Sequence, residues 1–166
     1  MPKHTDMQHL VDGLNAQEPG YQPVALFNAI ARLVVTPTFV VIPFFKRKGI
    51  TRCVLTRRAD DDPHYPGMLH PPGKIILSTD RDLDAVCARL LQTELPELRP
   101  TAKPKFVAPV FEQIHRGKEI SLIHFLAISD PAEAMSSFDA LNLPDDVIAT
   151  DIPRIQLAYQ ADEREE

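Results

Sequence analysis

The sequence predicts an α+β domain in which strands occur in pairs around a central helix. Residues 38–46 and 50–57 are rich in β-branched and aromatic side chains and are joined by a basic turn that ends in glycine, which together predict a hairpin. Residues 105–114 and 119–128 flank a second short polar turn and predict another hairpin. Between the hairpins, residues 80–94 place apolar side chains at helical spacing. Strand pairs and helices therefore alternate along the chain.

The composition is that of a soluble globular domain. The chain has 166 residues, of which 44% are hydrophobic and 25% charged, enough to bury one core of ordinary size. The formal net charge of -5 offers no basic surface of the kind that attracts nucleic acid, so no nucleic-acid partner is expected. We find no apolar run typical of a signal peptide or a membrane span and expect a cytoplasmic protein without membrane contact. Cys53 and Cys87 lie in separate apolar patterns and are expected to be buried thiols.

Residues 1–35 are expected to form a helical extension ahead of the domain. Residues 5–15 carry apolar side chains at helical spacing, and Pro23 suits the first position of a second helix. The apolar face of this second helix is formed by Leu26, Phe27, Ile30 and Val34. Because such a face is unfavourable in water, we predict that it is buried, either against the domain or in a two-fold homodimer.

The remaining elements follow from turn and cap residues. Pro43 within the first strand predicts an edge strand or a bulge, because proline has no N–H to donate. The Asp-, Pro-, His- and Gly-rich stretch 59–73 predicts a loop of functional length. Asp80 is expected to cap the central helix, with Leu83, Cys87, Leu90 and Leu91 beneath the sheet. Further helices are predicted over 131–141 and 151–162.

Three segments on these elements resemble the core of a Nudix domain: the strand CVLTRR, the loop GMLHPPGKI and the helix LDAVCARLLQTEL. The signature of that family is a Gly, five residues, a Glu, seven residues, then Arg-Glu-aliphatic-any-Glu-Glu, any residue and Gly. Gly73 matches the opening glycine, Lys74 and Ile75 match the usual continuation, and Thr79 falls where the first Glu belongs. The resemblance implies a Nudix-like α/β/α sandwich with a mixed sheet over residues 36–166.

The helical part of the signature has lost its acidic residues. With one extra residue at the helix entry, residues 88–93 occupy the stretch Arg-Glu-aliphatic-any-Glu-Glu, and Leu90 alone is retained. The three metal-binding positions then fall on Arg89, Gln92 and Thr93. A guanidinium cannot coordinate a cation, and neutral amide and hydroxyl oxygens do not offset the desolvation of Mg²⁺. We therefore expect the usual metal site to be absent and no cofactor to be required.

The preferred functional interpretation is a catalytically impaired Nudix-fold domain that serves as a ligand-binding or protein-interaction module. Arg89 partly replaces the positive charge of a metal, and with Arg57, Arg58 and Lys74 next to Gly73 it could attract an anionic small molecule or a nucleotide phosphate. Arg89 could equally lie along the surface with its stem on apolar neighbours. A third class, a purely structural dimer, would not respond to small molecules.

The alternative interpretation is a divergent hydrolase that cleaves a nucleoside-diphosphate-linked substrate with relocated acids. The candidate catalytic residues are Glu94, Glu112 and Glu119, and a relocated magnesium site would use Asp80, Asp84 and Glu94. Only in this case would Mg²⁺ be a cofactor. Acids at a helix start are also expected for the helix dipole alone, which is the preferred explanation of Asp80 and Asp84.

The histidines carry little weight in either interpretation. His64, His70, His115 and His124 are not spaced as zinc ligands on a helix, so turn or surface roles are expected.

Overall fold

The computed structural model describes residues 4–131 and 135–164. The helices in this part of the chain are α1 (His4–Asn15), α2 (Val24–Ala31), α3 (Leu83–Glu94) and α4 (Ile152–Asp162). The strands are β1 (Val35–Arg47), β2 (Ile50–Val54), β3 (Thr56–Arg57), β4 (Leu69–His70), β5 (Gly73–Ile75), β6 (Lys105–Ile114), β7 (Gly117–Ala127) and β8 (Ser137–Asp139). The longest described helices have 12 residues, and none of those described combines the length and apolarity that a membrane crossing requires.

The main sheet is mixed, as predicted, and β1 lies at its centre. The strand order is β6-β7-β1-β2-β8, and β5 pairs with the first half of β1 on the side where β2 pairs with the second half. β1 and β7 run parallel, whereas both predicted hairpins, β1–β2 and β6–β7, are antiparallel. The short strands β3 and β4 form a separate ribbon. The predicted α+β class is confirmed.

Both faces of the central strand are buried, which explains its long apolar run. Side chains alternate between the faces of a strand, so neighbouring residues of β1 enter different cores. One core packs under α3 and contains Phe39, Val41, Val86 and Leu90. The other packs under α4 and contains Val40, Ile42, Ile155 and Ala158. The sheet between the two helices forms the middle layer of an α/β/α sandwich.

Pro43 lies in an inner strand, so the edge prediction is wrong. The N–H of Val41 donates to Pro72 O on the β5 side of β1, and alternation points the nitrogen of Pro43 to that same side. There β5 pairs with residues 38–40 and β2 with residues 44–47, which leaves Pro43 opposite the gap between the two strands. A ladder hydrogen bond is therefore not lost.

The prediction of a helix over residues 131–141 is also wrong for the described residues of this segment. Residues 132–134 lie outside the described residues. Residues 137–139 form β8, in which Phe138 pairs with Cys53 of β2. The hydrogen bond from Leu55 N to Ser136 O extends this pairing. The free edge of β2 needs partners for its backbone groups, and this requirement outweighs the weak helical spacing of the segment.

The position of α3 corrects two further predictions. Its cap is Asp82, whose Oδ1 accepts a hydrogen bond from Ala85 N at 2.8 Å, and not Asp80. Because the cap lies two residues later than expected, Leu83 lies in the first turn of the helix and is 43% exposed, whereas Leu90 is fully buried. The remaining predicted core positions hold, since Cys87 is buried and Leu91 is partly buried.

The two helices predicted within residues 1–35 are present as α1 and α2, and α2 docks on the turn between β6 and β7. Ala31 is fully buried there, against Gly117. Leu26, Phe27 and Ile30 are half-buried, but α2 ends at Ala31, so Val34 lies beyond it and is 52% exposed, contrary to prediction. The homodimer stays a prediction.

Candidate functional site

Two clefts lie next to each other, one at the C-terminal end of α3 and the other at the start of α4. The first cleft, of about 860 Å³, lies between residues 55–59 and the C-terminal end of α3. The second cleft, of about 550 Å³, lies between the loop 62–65 and the β6–β7 turn, and α2 and α4 also contribute to its walls. Both clefts are lined by Arg58, Asp62, His70 and Gly73. The two clefts therefore adjoin at these four residues, and together they are called the groove.

Gly73, the predicted opening glycine of the signature, lies at this junction. It pairs with Val40 in the β5–β1 ladder. A Cβ atom at Gly73 would lie 3.4 Å from Val40 Cγ2 and 3.5 Å from Phe39 O, which is ordinary van der Waals contact. The pairing of β5 with β1 would therefore admit a Cβ atom at this position.

Arg89 does not line either cleft. Its Nε donates to Asp80 Oδ1 at 2.9 Å and its Nη2 to Asp80 Oδ2 at 2.7 Å. Nη2 also donates to Ile75 O at 2.8 Å, and Nη1 donates to the hydroxyl of Tyr21 at 2.6 Å. The hydrogen bonds from Arg89 hold the pKa of Asp80 below its usual value. Arg89 thus binds the loop before α3 and the segment before α2, and the structure does not place it with the other predicted anion ligands.

The Asp80–Arg89 pair also changes the alignment with the signature. It joins an acid to an arginine, the residue types that the signature has at its first Glu and its Arg. Asp80 follows Gly73 by seven positions and Arg89 follows Asp80 by nine, each one more than in the signature. With Arg89 in the place of the Arg, the metal-binding positions fall on Leu90, Thr93 and Glu94. The alignment predicted from sequence, with Ala88 in that place, stays a prediction beside this one.

Glu94 is the one carboxylate that this alignment retains. Leu90 is fully buried in the core, and Thr93 Oγ1 donates to the backbone carbonyl of Arg89 at 2.9 Å. Glu94 lines the first cleft and forms an ion pair with Lys74 at 2.9 Å. Its Oε2 atom is buried without a hydrogen-bond partner among the described residues. The ammonium group of Lys74 therefore engages one oxygen of this carboxylate, and the other makes no hydrogen bond within the described residues.

The other predicted anion ligands are also paired with acids. Arg57 Nη1 contacts Asp146 Oδ2 at 2.8 Å, and Arg58 Nη2 contacts Asp62 Oδ2 at 2.5 Å. The hydrogen bond from Arg58 strongly lowers the pKa of Asp62, so this pair is ionised at neutral pH. The structure brings Arg57 and Arg58 to the first cleft, but their charges are largely neutralised there.

The acids proposed for a relocated metal site are not brought together. Asp80 pairs with Arg89, Asp84 with Lys103, and Glu94 with Lys74. Among the described residues there is no group of three or more His, Cys, Asp or Glu side chains arranged to hold a metal ion. Asp80, Asp84 and Glu94 therefore each pair with a different cation and do not share a site.

Glu112 and Glu119 do come together, in the second cleft. They are directly opposite each other in the β6–β7 ladder, so their side chains share one face. Arg154 of α4 lies between them, with Nη2 against Glu112 and 3.9 Å from Glu119 Oε1. Its Nη1 donates to Asp151 Oδ1 at 2.8 Å. Three carboxylates therefore surround one guanidinium.

Asp151 is a residue that the sequence did not single out. It begins α4 and resembles an ordinary cap, yet its side chain makes no capping hydrogen bond and is almost fully buried. Arg116 Nη2, 2.9 Å from Glu119 Oε2, is the second cation of the cluster, so the carboxylates exceed the guanidiniums by one. Burial, and secondly the charge of Glu119, raise the pKa of Asp151 to about 7. No pattern in the sequence would have predicted this, because the acids come from three elements.

Aromatic rings span the second cleft. The rings of His64 and His115 stack at 4.1 Å with an angle of 5° between their planes, and Tyr65 lies 5.5 Å from His115. These contacts connect the loop after β3 to the β6–β7 turn. The expected turn positions of His64 and His115 are confirmed, but their contact could not be read from the sequence.

The other two histidines are more buried than expected. His70 lies where the clefts meet, with Nε2 3.2 Å from Thr56 Oγ1, and burial lowers its pKa. His124 is 5% exposed and stacks on Phe39 at 4.1 Å, so the surface role predicted for it is wrong. Stacking on an aromatic ring allows an imidazole to replace an apolar side chain in the core.

The fold of the chain is similar to that of several solved structures. NrtR from Shewanella oneidensis, in complex with a 27mer DNA, matches with a TM-score of 0.60 and 16% identity over 77% of this chain and 62% of that one. The Nudix domain of the same protein, in complex with ADP ribose, matches with a TM-score of 0.54 and 18% identity over 87% and 100% of the two chains. A mutT/nudix family protein from Listeria innocua matches with a TM-score of 0.59 and 13% identity over 78% and 95%.

These likenesses show that the chain has a Nudix-like fold, as the sequence predicted. The chain spans about 62% of the length of the DNA-bound NrtR chain. Comparison of the sequence with protein-family models and with curated proteins gives no match.

Proposed function

We propose that the chain is a Nudix-fold ligand-binding module that has lost magnesium-dependent hydrolysis. The observation that carries this proposal is the face of α3 at the first cleft. Its single retained signature carboxylate, Glu94, is ion-paired with Lys74, and the other two signature positions are a buried leucine and a threonine. Magnesium prefers several oxygen ligands with negative charge, and one engaged carboxylate does not supply them.

The loss of the metal site accounts for the expected loss of turnover. In phosphoanhydride cleavage the metal neutralises developing charge and activates water, which lowers the barrier by several kcal/mol. Each ~1.4 kcal/mol of lost stabilisation slows the reaction about tenfold. A site without the metal ligands is therefore expected to bind its ligand without turning it over.

The proposed ligand is a nucleotide or another small phosphorylated anion. Both clefts have the size of small-molecule sites, and guanidinium groups line each of them. The Nudix domain of NrtR was solved with ADP ribose, so this compound is the first probe to test. A protein-interaction role is the outcome to consider if no small molecule binds.

Isothermal titration calorimetry of ADP ribose, in buffer with Mg²⁺ and in buffer with EDTA, tests the proposal. We expect saturable binding with the same dissociation constant in both buffers. Binding that requires Mg²⁺ would contradict it, because the ion would then be part of the site.

A divergent hydrolase remains the second candidate, and the convergence of Glu112, Glu119 and Asp151 in one cleft favours it. Such an enzyme would show Mg²⁺-dependent cleavage that Glu119→Gln abolishes. Glu18→Gln is the control, since Glu18 is exposed and outside both clefts. Turnover that survives Glu119→Gln would argue against this candidate.

A further inference from the structure

The face of the main sheet on which α3 packs is uncovered at its β6 end. Side chains that are level in neighbouring strands point to the same face, so the strand register identifies the residues beside Phe39 of the α3-side core. Those with exposed side chains are Val35 and Pro37 of β1 and Phe106, Pro109 and Phe111 of β6. We call these five residues the sheet patch.

The sheet patch is continuous and apolar. Phe111 is 60% exposed and Phe106 is 57% exposed. Ile120 and Leu122 of β7 lie between β1 and β6 on the same face and are only partly buried. The patch extends roughly 17 Å along β6 and, across three strands, about 10 Å in the other direction. A continuous exposed apolar surface is typical of an interaction site.

Helix α1 carries an apolar face that is uncovered as well. Met7, Leu10, Val11 and Leu14 have the spacing of one helix face, and they are between 40% and 57% exposed. Every residue over 6–15 is exposed, so α1 does not bury this face on the sheet patch of its own chain. A helix of 12 residues is only marginally stable in water by itself. The face of α1 therefore needs a partner surface.

The segment after α1 is fixed to the domain. Arg89 Nη1 donates to the hydroxyl of Tyr21 at 2.6 Å, and the same guanidinium lies 5.6 Å from the centre of the Tyr21 ring. Residues 16–20 are all that connect α1 to this anchor. With the anchor in place, the apolar face of α1 is exposed, and this arrangement leaves it open to a second molecule.

The apolar face of α1 and the sheet patch match in size and in charge. A helix of this length is about 18 Å long and about 10 Å wide, which agrees with the patch. α1 contains Asp6 and Asp12 and no Lys or Arg. Lys118 borders the patch, with its ammonium 5.4 Å from the centre of the Phe111 ring. Opposite charges at the rim of an apolar contact favour one partner and one orientation.

We infer that the chain forms a two-fold dimer in which α1 of each copy packs its apolar face on the sheet patch of the other copy. Each copy then buries four exposed apolar side chains of α1 and five of the sheet patch. These supply the apolar centre of an interface of standard size, about 800 Å² per partner. Because each copy gives one helix and receives one, the assembly closes as a dimer.

This interface differs from the one predicted from the sequence, which used the face of α2. Leu26, Phe27 and Ile30 of that face are already half-buried within the chain. The five residues of the sheet patch line neither cleft, so the inference does not depend on the proposed ligand or on the loss of hydrolysis.

Light scattering coupled to gel filtration, on the full chain at micromolar concentration, tests the dimer. We expect the mass of two chains for the wild type. Leu10→Glu places a charge in the face of α1 and Phe111→Glu places one in the sheet patch, so each should weaken dimerisation about tenfold or more. Leu141→Glu is the matched control, since Leu141 is 74% exposed and belongs to neither surface, and it should keep the wild-type mass. Circular dichroism verifies that each variant is folded.

A mixture of the two variants separates exchange between copies from docking within one chain. In a mixed dimer, α1 of the Phe111→Glu chain meets the unchanged sheet patch of the Leu10→Glu chain, so one of the two contacts is intact. We expect the mixture to form dimers at concentrations at which each variant alone is monomeric.

Three results would overturn the inference. A monomeric wild type would show that the two surfaces do not associate between copies. A dimer that only one of the two variants disrupts would show that the other surface does not take part. A mixture that stays monomeric would show that α1 docks within its own chain.

Discussion

The Asp80–Arg89 ion pair closes the loop that leads into α3. Both side chains are largely out of water, and the guanidinium also binds the carbonyl of Ile75. Releasing Arg89 to a ligand would leave the Asp80 carboxylate without its main partner in a poorly solvated place. The pair is therefore part of the scaffold that holds the groove.

We expect Arg89→Ala to lower the free energy of unfolding by about 1 to 3 kcal/mol, because it leaves a largely buried carboxylate without its charged hydrogen bonds. Urea unfolding measures this loss. In Arg81→Ala, which changes an exposed arginine near the start of α3, the loss should be much smaller than in Arg89→Ala. Equal losses in the two variants would contradict the structural role of Arg89.

The raised pKa of Asp151 makes the free energy of unfolding depend on pH. Its pKa is about 7 in the folded chain and near its ordinary value of 3.8 when unfolded. A raised folded pKa means that this group contributes most below about pH 4, and that its contribution is lost as the pH rises to 7. Asp151→Asn should therefore reduce the loss of stability between pH 5 and pH 8 in urea unfolding. The exposed Asp145→Asn should leave the wild-type pH dependence in place, and identical profiles for all three proteins would contradict the assignment.

Individual residues show what the sequence could supply and what it could not. Gly73 and Lys74 were predicted from a linear motif, and the structure places Gly73 at the centre of the groove and Lys74 beside Glu94. Asp151 was missed, because it is distinguished by the acids that surround it from other elements. A sequence pattern contains residue types and their spacing, whereas the surroundings of Asp151 arise only from packing.

For the helices and strands, the confirmed predictions depend on the periodicity of apolar residues along the sequence. The wrong predictions concern segments whose structure depends on how strands pair. Both hairpins, α3 and α4 follow from alternation or helical spacing within a single segment. β8 forms because β2 has a free edge, and β1 tolerates Pro43 because β5 and β2 leave a gap beside it. Such facts concern neighbours that are distant in sequence, so a local pattern does not contain them.

The docking of α2 on the β6–β7 turn depends on Gly117. Its φ angle is +146°, and a side chain there would overlap the carbonyl of Ala31. We expect Gly117→Ala to destabilise the protein by about 1 to 3 kcal/mol through backbone strain and displacement of α2. Thermal unfolding measures the change. Gly13→Ala is the control, because Gly13 lies inside α1 with open space around it. This variant should be more stable than the wild type by about 1 kcal/mol, since alanine favours a helix more than glycine does. A neutral Gly117→Ala would show that α2 does not need this close contact.

For the molecule as a whole, fold and chemistry depend on different residues. The sandwich depends on two apolar cores, which the chain retains around β1. Hydrolysis would depend on a few carboxylates on α3, and of these the chain keeps Glu94, bound to Lys74. A domain can therefore keep the Nudix-like fold while its groove changes from a metal-dependent site to a binding site.

Single-turnover incubation of ADP ribose with an excess of the wild-type protein, with Mg²⁺ or with EDTA, tests the central claim most directly. Chromatography separates AMP and ribose phosphate from the intact compound, and excess protein ensures that slow product release cannot hide cleavage. We predict that ADP ribose remains intact in both buffers at protein concentrations where calorimetry shows it to be bound. Cleavage that appears with Mg²⁺ and disappears with EDTA would contradict the account and establish a metal-dependent hydrolase.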